Sequence, residues 1–231
     1  MNTEPPLPVM PRTFAARVLK SKRLSPFGYE LRLERLGLSF QAGQLINVHG
    51  NNRLENRSYT ICSGERDEEL RILYRYIPGG VLTPQLIERQ PGDHVTVSGP
   101  YGEFVLRDTR RPIYFFATGT GIAPCRAYLR THPDLDLTLI HGVRDPADLY
   151  YRNDLPARRY IPCVSGPHHD PAAFGGRVTG WAATNVLPPD AHYYLCGANE
   201  MIYEMRECLE QSGIPREHVF SEEYYYRMDD A

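Results

Sequence analysis

Four short segments of the 231-residue chain combine residue types that can hold the phosphates and the flat rings of a dinucleotide. The first, Arg57-Ser58-Tyr59-Thr60, sets a guanidinium, an aromatic ring and two hydroxyls at the start of a strand-like stretch. An arginine grips a pyrophosphate bidentately, a tyrosine ring lies against a flat heterocycle, and a hydroxyl reaches a ring nitrogen. In a strand, Arg57 and Tyr59 share one face while Thr60 turns to the other, unless the strand bends around a ligand. The same residues also suit an ordinary edge strand. The second segment, Gly79-Gly80-Val81-Leu82-Thr83-Pro84, is a glycine turn leading into a helix, with Thr83 near its cap and Pro84 near its first position. Backbone N–H groups at such a turn can bind phosphate, or the segment can be a plain turn and cap.

The third segment, Thr118-Gly119-Thr120-Gly121, follows an apolar run and opens a helix, the place where glycines let a dinucleotide phosphate approach the backbone. Pro124 stands where the usual fingerprint has its last glycine. The fourth, Cys196-Gly197-Ala198-Asn199-Glu200-Met201, again joins an apolar run to a helix. Ligands of open α/β sheets sit at the carboxyl ends of the strands, so Cys196 can face a cofactor crevice there, or it can be an inert buried thiol.

Two kinds of periodicity position these segments. From Thr13 to about Arg111 the pattern alternates with period two: Tyr29, Leu31 and Leu33, then Leu70, Ile72, Tyr74 and Tyr76. Turn signals such as Pro78-Gly79-Gly80 and Pro91-Gly92-Asp93 separate the runs at short intervals, which predicts an antiparallel β-barrel of about six strands. After Pro112 the runs 113–118, 137–142, 160–164 and 192–197 are unbroken and apolar, as in a parallel sheet buried on both faces. Crossover-length segments separate them, which predicts a doubly wound α/β domain. Met201, Met205, Cys208 and Leu209 form the apolar face of a helix over 199–211 that Gly213 stops. The expected division is a barrel domain over residues 1–110 and an α/β domain over 111–231.

With 42% hydrophobic and 23% charged residues, the composition is globular, and the length suffices for two modest cores. No apolar stretch approaches the roughly 18 to 20 residues of a membrane span, and the start lacks a signal-peptide core, so a cytoplasmic protein that meets no membrane is expected. Five scattered cysteines form neither a disulfide framework nor a metal-ligand spacing. Lysine and arginine outnumber aspartate and glutamate by 4 in residues 1–111, and the balance is −6 beyond them. A mildly basic first half can greet an acidic partner protein or simply form a solvated face. Dispersed basic residues and a net charge of −2 give no case for nucleic acid.

Taken in this order, the four segments resemble the ferredoxin–NADP reductase superfamily over about residues 13–225, with FQAGQLINV (40–48), GPYGEF (99–104) and GVRDPADLYY (142–151) adding to the likeness. ILYRYIPGGVLTPQL and SEEYY are most similar to the bacterial ferredoxin (flavodoxin) reductases. The resemblance implies one FAD and a diffusible NADH or NADPH. It puts Arg57 on the FAD pyrophosphate, Tyr59 against the isoalloxazine, with Ser58, Tyr74 and Tyr76 nearby, and the Thr60 hydroxyl near flavin N5, where the family usually has Ser. Gly80, Val81, Leu82 and Thr83 match a second phosphate element. Thr118, Gly119, Thr120 and Gly121 match the nicotinamide-nucleotide loop, joined by Arg144 and Ser165, and Cys196, Gly197 and Met201 match the element beside the nicotinamide. Glu222 or Glu223 supplies a C-terminal carboxylate, Glu223 being the one assigned to the reacting site, and Tyr225 covers the flavin face.

The implied partner is ferredoxin, flavodoxin or a similar small redox protein, served by a monomer. Close alternatives are the NADH-dependent reductase component of an oxygenase and a non-catalytic electron-transfer subunit or scaffold. One departure bears on cofactor choice. NADPH-selective members follow the strand at 160–164 with a Ser-Arg pair whose arginine grips the 2′-phosphate, whereas this chain has Ser165-Gly166 followed by His168 and His169. Neither histidine carries a full charge at neutral pH.

Overall fold

The computed structural model describes residues 10–51, 55–155 and 160–224. Six antiparallel strands come first: β1 (Arg12–Arg23), β2 (Gly28–Glu34), β3 (Leu45–His49), β4 (Asn56–Thr60), β5 (Glu69–Arg75) and β6 (His94–Tyr101). They pair in the order β4-β3-β6-β1-β2-β5, and a bridge between Ile61 and Ile72 joins the two outer strands, so the sheet curls into a barrel. The period-two pattern explains the filling: Ala16, Val18, Leu31, Leu33, Ile46, Val48, Leu70, Ile72, Val95 and Val97 all point inward and are buried. A single short helix, α1 (Thr83–Ile87), sits between β5 and β6. Leu82 is its N-cap, so Thr83 is the first helical residue and Pro84 lies within the first turn, one place later than the sequence pattern suggests.

The second half contains six parallel strands: β7 (Ile113–Thr118), β8 (Leu137–Val143), β9 (Tyr160–Val164), β10 (Phe174–Gly175), β11 (His192–Gly197) and β12 (Val219–Glu223). Their order is β10-β9-β8-β7-β11-β12, with α2 (Ala123–Thr131), α3 (Val178–Ala183) and α4 (Asn199–Gln211) packed on the faces. Successive residues of β7 serve different cores, which is why the run has no polar alternation. Phe115 packs with Tyr128 and Tyr194 on one side, and Phe116 with Val178, Leu195 and Met205 on the other. The edge strands β10 and β12 carry no apolar run, and the sequence pattern does not mark them.

The sheet order reverses between β7 and β11, which places the switch point, and hence a ligand crevice, at the carboxyl ends of these two strands. Ala42, Cys62, Leu73 and Phe104 of the barrel share one continuous core with β7, β11 and α2. The two halves are therefore packed against each other by apolar side chains. Leu73 shows the effect, because it sits on the polar phase of the β5 alternation and is still buried, by the α/β half. Among the described residues no helix is long and apolar enough to cross a membrane.

Candidate active site

A cleft of about 600 Å³ runs along the barrel where it meets the parallel sheet, a volume usual for small-molecule and cofactor sites. The last strand residues of β4 form one wall. Arg57, Ser58, Tyr59 and Thr60 all line the cleft, since the strand ends at Thr60 and both of its faces are used there. The Ser58 hydroxyl donates to Asn47 Oδ1 at 2.7 Å, which ties this wall to β3. Gly80, Val81, Leu82 and Thr83 form the facing wall, brought within reach by the turn before α1. The Thr83 hydroxyl accepts the Ile77 N–H at 3.0 Å and so closes the turn.

Tyr74 is fully buried and stands edge-on behind Tyr59, with ring centroids 6.1 Å apart, so it supports the cleft wall. Tyr76 does not line the cleft; it packs edge-on against Tyr29, while its neighbours Arg75 and Ile77 line it instead. The one-residue offset follows from strand alternation, because β5 ends at Arg75 and the chain turns into the Pro78-Gly79 corner.

At the inner end of the cleft, two side chains from the end of β12 converge on Thr60. Its buried hydroxyl donates to Glu222 Oε2 at 3.1 Å and shares a hydrogen bond of 2.9 Å with the Tyr224 hydroxyl. Glu222, not Glu223, therefore meets the threonine. Glu223, the carboxylate assigned from sequence, also lines the cleft but makes no contact with Thr60. Which of the two adjacent carboxylates turns inward depends on the register of β12, in which Glu222 pairs with Cys196 and Glu223 with Gly197. Burial pushes the Glu222 carboxyl up to about 7, against the lowering effect of the Thr60 hydroxyl. Tyr224 occupies the position over Thr60, and Tyr225, assigned from sequence, lies outside the described residues.

The nucleotide side is built from loops at the carboxyl ends of β7 and β11. Thr120 reaches the cleft, and the Thr118 Oγ1 accepts the Ala198 N–H at 2.9 Å, which joins the two loops. Two glycines make this approach possible. A Cβ on Gly121 would lie 2.2 Å from the Cys196 carbonyl oxygen, and one on Gly197 would lie 2.2 Å from Thr118 Oγ1 and 2.8 Å from the Thr118 carbonyl. Cys196 itself is fully buried, its thiol raised well above its usual range by burial and in hydrogen-bond contact with Tyr224. It stands behind the Tyr224 hydroxyl, outside the lining of the cleft.

Met201, matched from sequence to the element beside the nicotinamide, is buried in the core beneath the sheet with Ile202, Met205 and Leu209. Its place on the apolar stripe of α4 turns it toward β7 and β11 and away from the cleft. Arg144 and Ser165 follow β8 and β9, adjoining strands, and both are exposed. The Ser165 N–H donates to the Val143 carbonyl at 3.0 Å, which sets the Ser165 turn beside Arg144. Nearby basic side chains are engaged: His168 meets Asp145 at 2.6 Å, and Arg152 meets Asp170 at 2.5 Å.

One positioning residue escapes the sequence reading. His141 lies in the apolar run of β8 and is fully buried, with Nε2 2.9 Å from the Gly119 carbonyl and Nδ1 2.9 Å from the Tyr160 hydroxyl. A carbonyl only accepts, so Nε2–H donates to Gly119 and Nδ1 accepts from Tyr160, holding the nucleotide loop by a neutral ring. A polar residue inside an otherwise apolar strand is the signal that marks it. Burial lowers its pKa to about 4 from an ordinary 6.5. Because the folded value is depressed, its stabilising contribution is complete above pH 6.5 and is lost as pH falls through 4. The chain is expected to lose about 3 kcal/mol of stability over that window. His141→Gln, which keeps a donor, should flatten the corresponding fall of the thermal midpoint, measured between pH 7 and 4. Equal slopes in parent and variant would remove His141 from this role.

Among the described residues no group of three or more His, Cys, Asp or Glu side chains could hold a metal. The Oxidoreductase FAD-binding domain family matches residues 14–106, and the Oxidoreductase NAD-binding domain family matches 115–207. Ferredoxin–NADP reductase B of Sorangium cellulosum is 30% identical over 246 residues, covering 91% of this chain and 97% of that protein. The toluate 1,2-dioxygenase electron transfer component of Pseudomonas putida is 31% identical over 205 residues, or 81% of this chain; the match spans 59% of that longer relative. Among solved structures, the Amycolatopsis cytochrome P450 reductase superposes with a TM-score of 0.84 at 27% identity, over 92% of this chain and 70% of the other. With a barrel that offers a cleft for FAD, a parallel sheet that opens a nucleotide crevice beside it, and a full-length reductase relative, the chain belongs to the ferredoxin–NADP reductase superfamily of FAD-dependent oxidoreductases.

Proposed function

We propose that the protein oxidises a reduced nicotinamide dinucleotide at FAD and passes the electrons singly to a separate carrier protein of ferredoxin or flavodoxin type. The observation that carries this reading is the meeting of Thr60, Glu222 and Tyr224 where the barrel cleft reaches the crevice between β7 and β11. FAD, when bound, supplies the change from two-electron to one-electron transfer. The chain supplies alignment: Arg57 and the Gly80–Thr83 turn for the pyrophosphate, Tyr59 for the ring system, and Thr120 for the nucleotide. Glu222, protonated below about pH 7, holds a proton beside the Thr60 hydroxyl. Residues 1–110 form the flavin domain and 111–231 the nucleotide domain. The protein works as a monomer, and its five free cysteines support a reducing, cytoplasmic setting.

Service to an oxygenase is the second reading, favoured by the toluate dioxygenase relative. It changes the carrier and leaves the chemistry at the cleft unchanged. The deciding experiment is heat release of the chromophore with chromatography, followed by anaerobic stopped-flow reduction with NADH. One FAD per chain and rapid bleaching are expected; release of FMN, or a colourless protein inert to nucleotide, would reject the reading.

The nucleotide preference is for NADH, or for neither. Gly166 stands where a 2′-phosphate would need a cation, and His168 and Arg152 are each occupied by a carboxylate. A charge-assisted contact is worth about 1.5 to 3 kcal/mol, so its loss removes roughly one to two orders of magnitude of selectivity for the phosphate. The ratio of kcat/KM values for NADH and NADPH is expected at or above one. A hundredfold preference for NADPH would show that Arg144, Arg152 or another cation holds the phosphate.

A further inference from the structure

Beyond Arg144, the segment from Asp145 to Asp154 leaves the end of β8 and crosses to the barrel, and the reductase reading gives its contacts there no task. Hydrogen bonds to the barrel fasten it there. Asp148 accepts hydrogen bonds from Ser25 Oγ at 2.6 Å and from the Tyr150 hydroxyl at 2.9 Å, with the Tyr150 ring laid over Gly28. Next to it, the Tyr151 hydroxyl donates to Glu30 Oε2 on β2 at 2.9 Å. Tyr151 has a φ of +58°, a conformation that a bulky residue adopts only where its surroundings dictate it.

Beneath Tyr151 lies Arg126, 2% exposed, on the helix that continues the Gly119–Ile122 nucleotide loop. Its guanidinium stacks 4.4 Å from the centre of the Tyr151 ring, and Nη1 donates to the Cys62 carbonyl at 2.6 Å. Cys62 is two residues beyond Thr60 on the flavin side. The arginine thus links the nucleotide loop to the strand that carries Arg57, Tyr59 and Thr60 in one step. Among the described residues its only ion-pair partner is the exposed Asp154 at 3.6 Å, and its buried Nε has no hydrogen-bond partner. A buried guanidinium served this poorly is a weak source of stability. What it offers is direction, because its planar fork fixes angles as well as distances.

We propose that Arg126, clamped between the Tyr151 ring and the Cys62 carbonyl and steered by Glu30 through the Tyr151 hydroxyl, is the positioning residue that holds the nucleotide loop in reacting distance of the flavin strand. The inference rests on the reductase reading. Hydride transfer needs both halves in register, whereas reoxidation of the bound FAD by ferricyanide needs only the barrel side. A positioning residue therefore acts on the first half-reaction alone.

The test compares Arg126→Met, which keeps bulk and loses the fork, with Tyr151→Phe, which keeps the ring and loses the bond to Glu30. Stopped-flow reduction by NADH is expected to slow at least tenfold in Arg126→Met and about threefold in Tyr151→Phe. FAD content and the ferricyanide rate should match the parent. Amide hydrogen exchange, which needs no turnover, should quicken at 62–64 and 119–123 in both variants. Reduction rates and exchange within twofold of the parent would overturn the proposal, as would FAD loss or equal slowing of both half-reactions, which mark a residue that merely holds the fold. If Arg126→Met fails to fold, Tyr151→Phe decides by the same criteria. A parent without FAD or nucleotide reactivity would instead refute the reductase reading, and the exchange data would still judge the clamp.

Discussion

Gly121→Ala is expected to slow reduction by nicotinamide dinucleotide about a hundredfold, with FAD still bound in full and ferricyanide reoxidation unchanged. The new methyl group would stand 2.2 Å from the Cys196 carbonyl oxygen, 2.6 Å from its carbon and 2.9 Å from the Gly197 Cα. All three are backbone atoms, so no side-chain rotation relieves the clash, and the ends of β7 and β11 must part by about 1 Å. Overpacking of this kind costs about 1 to 3 kcal/mol, and here the displaced atoms are the walls of the nucleotide crevice. A loss near 2.7 kcal/mol corresponds to about a hundredfold. Gly119→Ala provides the comparison. Gly119 has a φ of +52° and open space around the added Cβ, so its cost is the left-handed backbone alone, about 1 to 2 kcal/mol. Anaerobic reduction rates should rank parent, Gly119→Ala, then Gly121→Ala. A Gly121→Ala rate equal to or above that of Gly119→Ala would show that the close approach of the two loops does not matter to nucleotide use.

Thr60→Val should slow the same step by about 30- to 100-fold while keeping the shape of the site. The lost hydroxyl donates to the half-buried Glu222 carboxylate and bonds the Tyr224 hydroxyl. A hydrogen bond to a charged group is worth about 1.5 to 3 kcal/mol, most of which becomes a desolvation penalty once the partner is stranded. The pH dependence carries the sign. Burial raises Glu222 to about 7, and the Thr60 hydroxyl works against that rise. Removing the hydroxyl should move the pH inflection of the reduction rate upward from near 7, and Glu222→Gln should abolish it. An inflection unchanged in both variants would detach Glu222 from the reaction. The stability linkage runs opposite to that of His141. A carboxyl raised from 4.5 contributes stability that is complete below pH 4.5 and lost as pH rises through about 7. Glu222→Gln should therefore be relatively more stable than the parent at pH 8 than at pH 4, measured by thermal midpoints.

Much of this molecule was legible in short-range pattern. Strand alternation is a local property, so Leu31, Leu33, Leu70 and Ile72 announced the barrel interior. The unbroken runs at 113–118, 160–164 and 192–197 coincide with β7, β9 and β11, because a strand covered on both faces has no polar phase to display. The stripe of α4 and its stop before Gly213 follow from helical periodicity alone. The glycines of the nucleotide loops were visible for the same reason: a turn that admits no Cβ leaves its mark at one position.

Other features depended on what the distant chain brings alongside. Glu222 and Glu223 are equivalent by type and adjacent in sequence, and only the parallel pairing of β12 with β11 turns Glu222 toward Thr60, 162 residues away. Met201 bears two competing signals, a motif position and an apolar stripe, and helix packing gave it to the core. Tyr76 lost its place at the cleft to Arg75 and Ile77 through the point at which β5 ends. Arg126 looks like any arginine in a helix until β2, the turn after β4 and the 145–154 segment close around it. Sequence pattern determines which face of an element is apolar, since periodicity is set by the backbone geometry of one strand or helix. The partners of a buried charge or hydroxyl are chosen by register and domain packing, which arise only when elements far apart in the chain share one core.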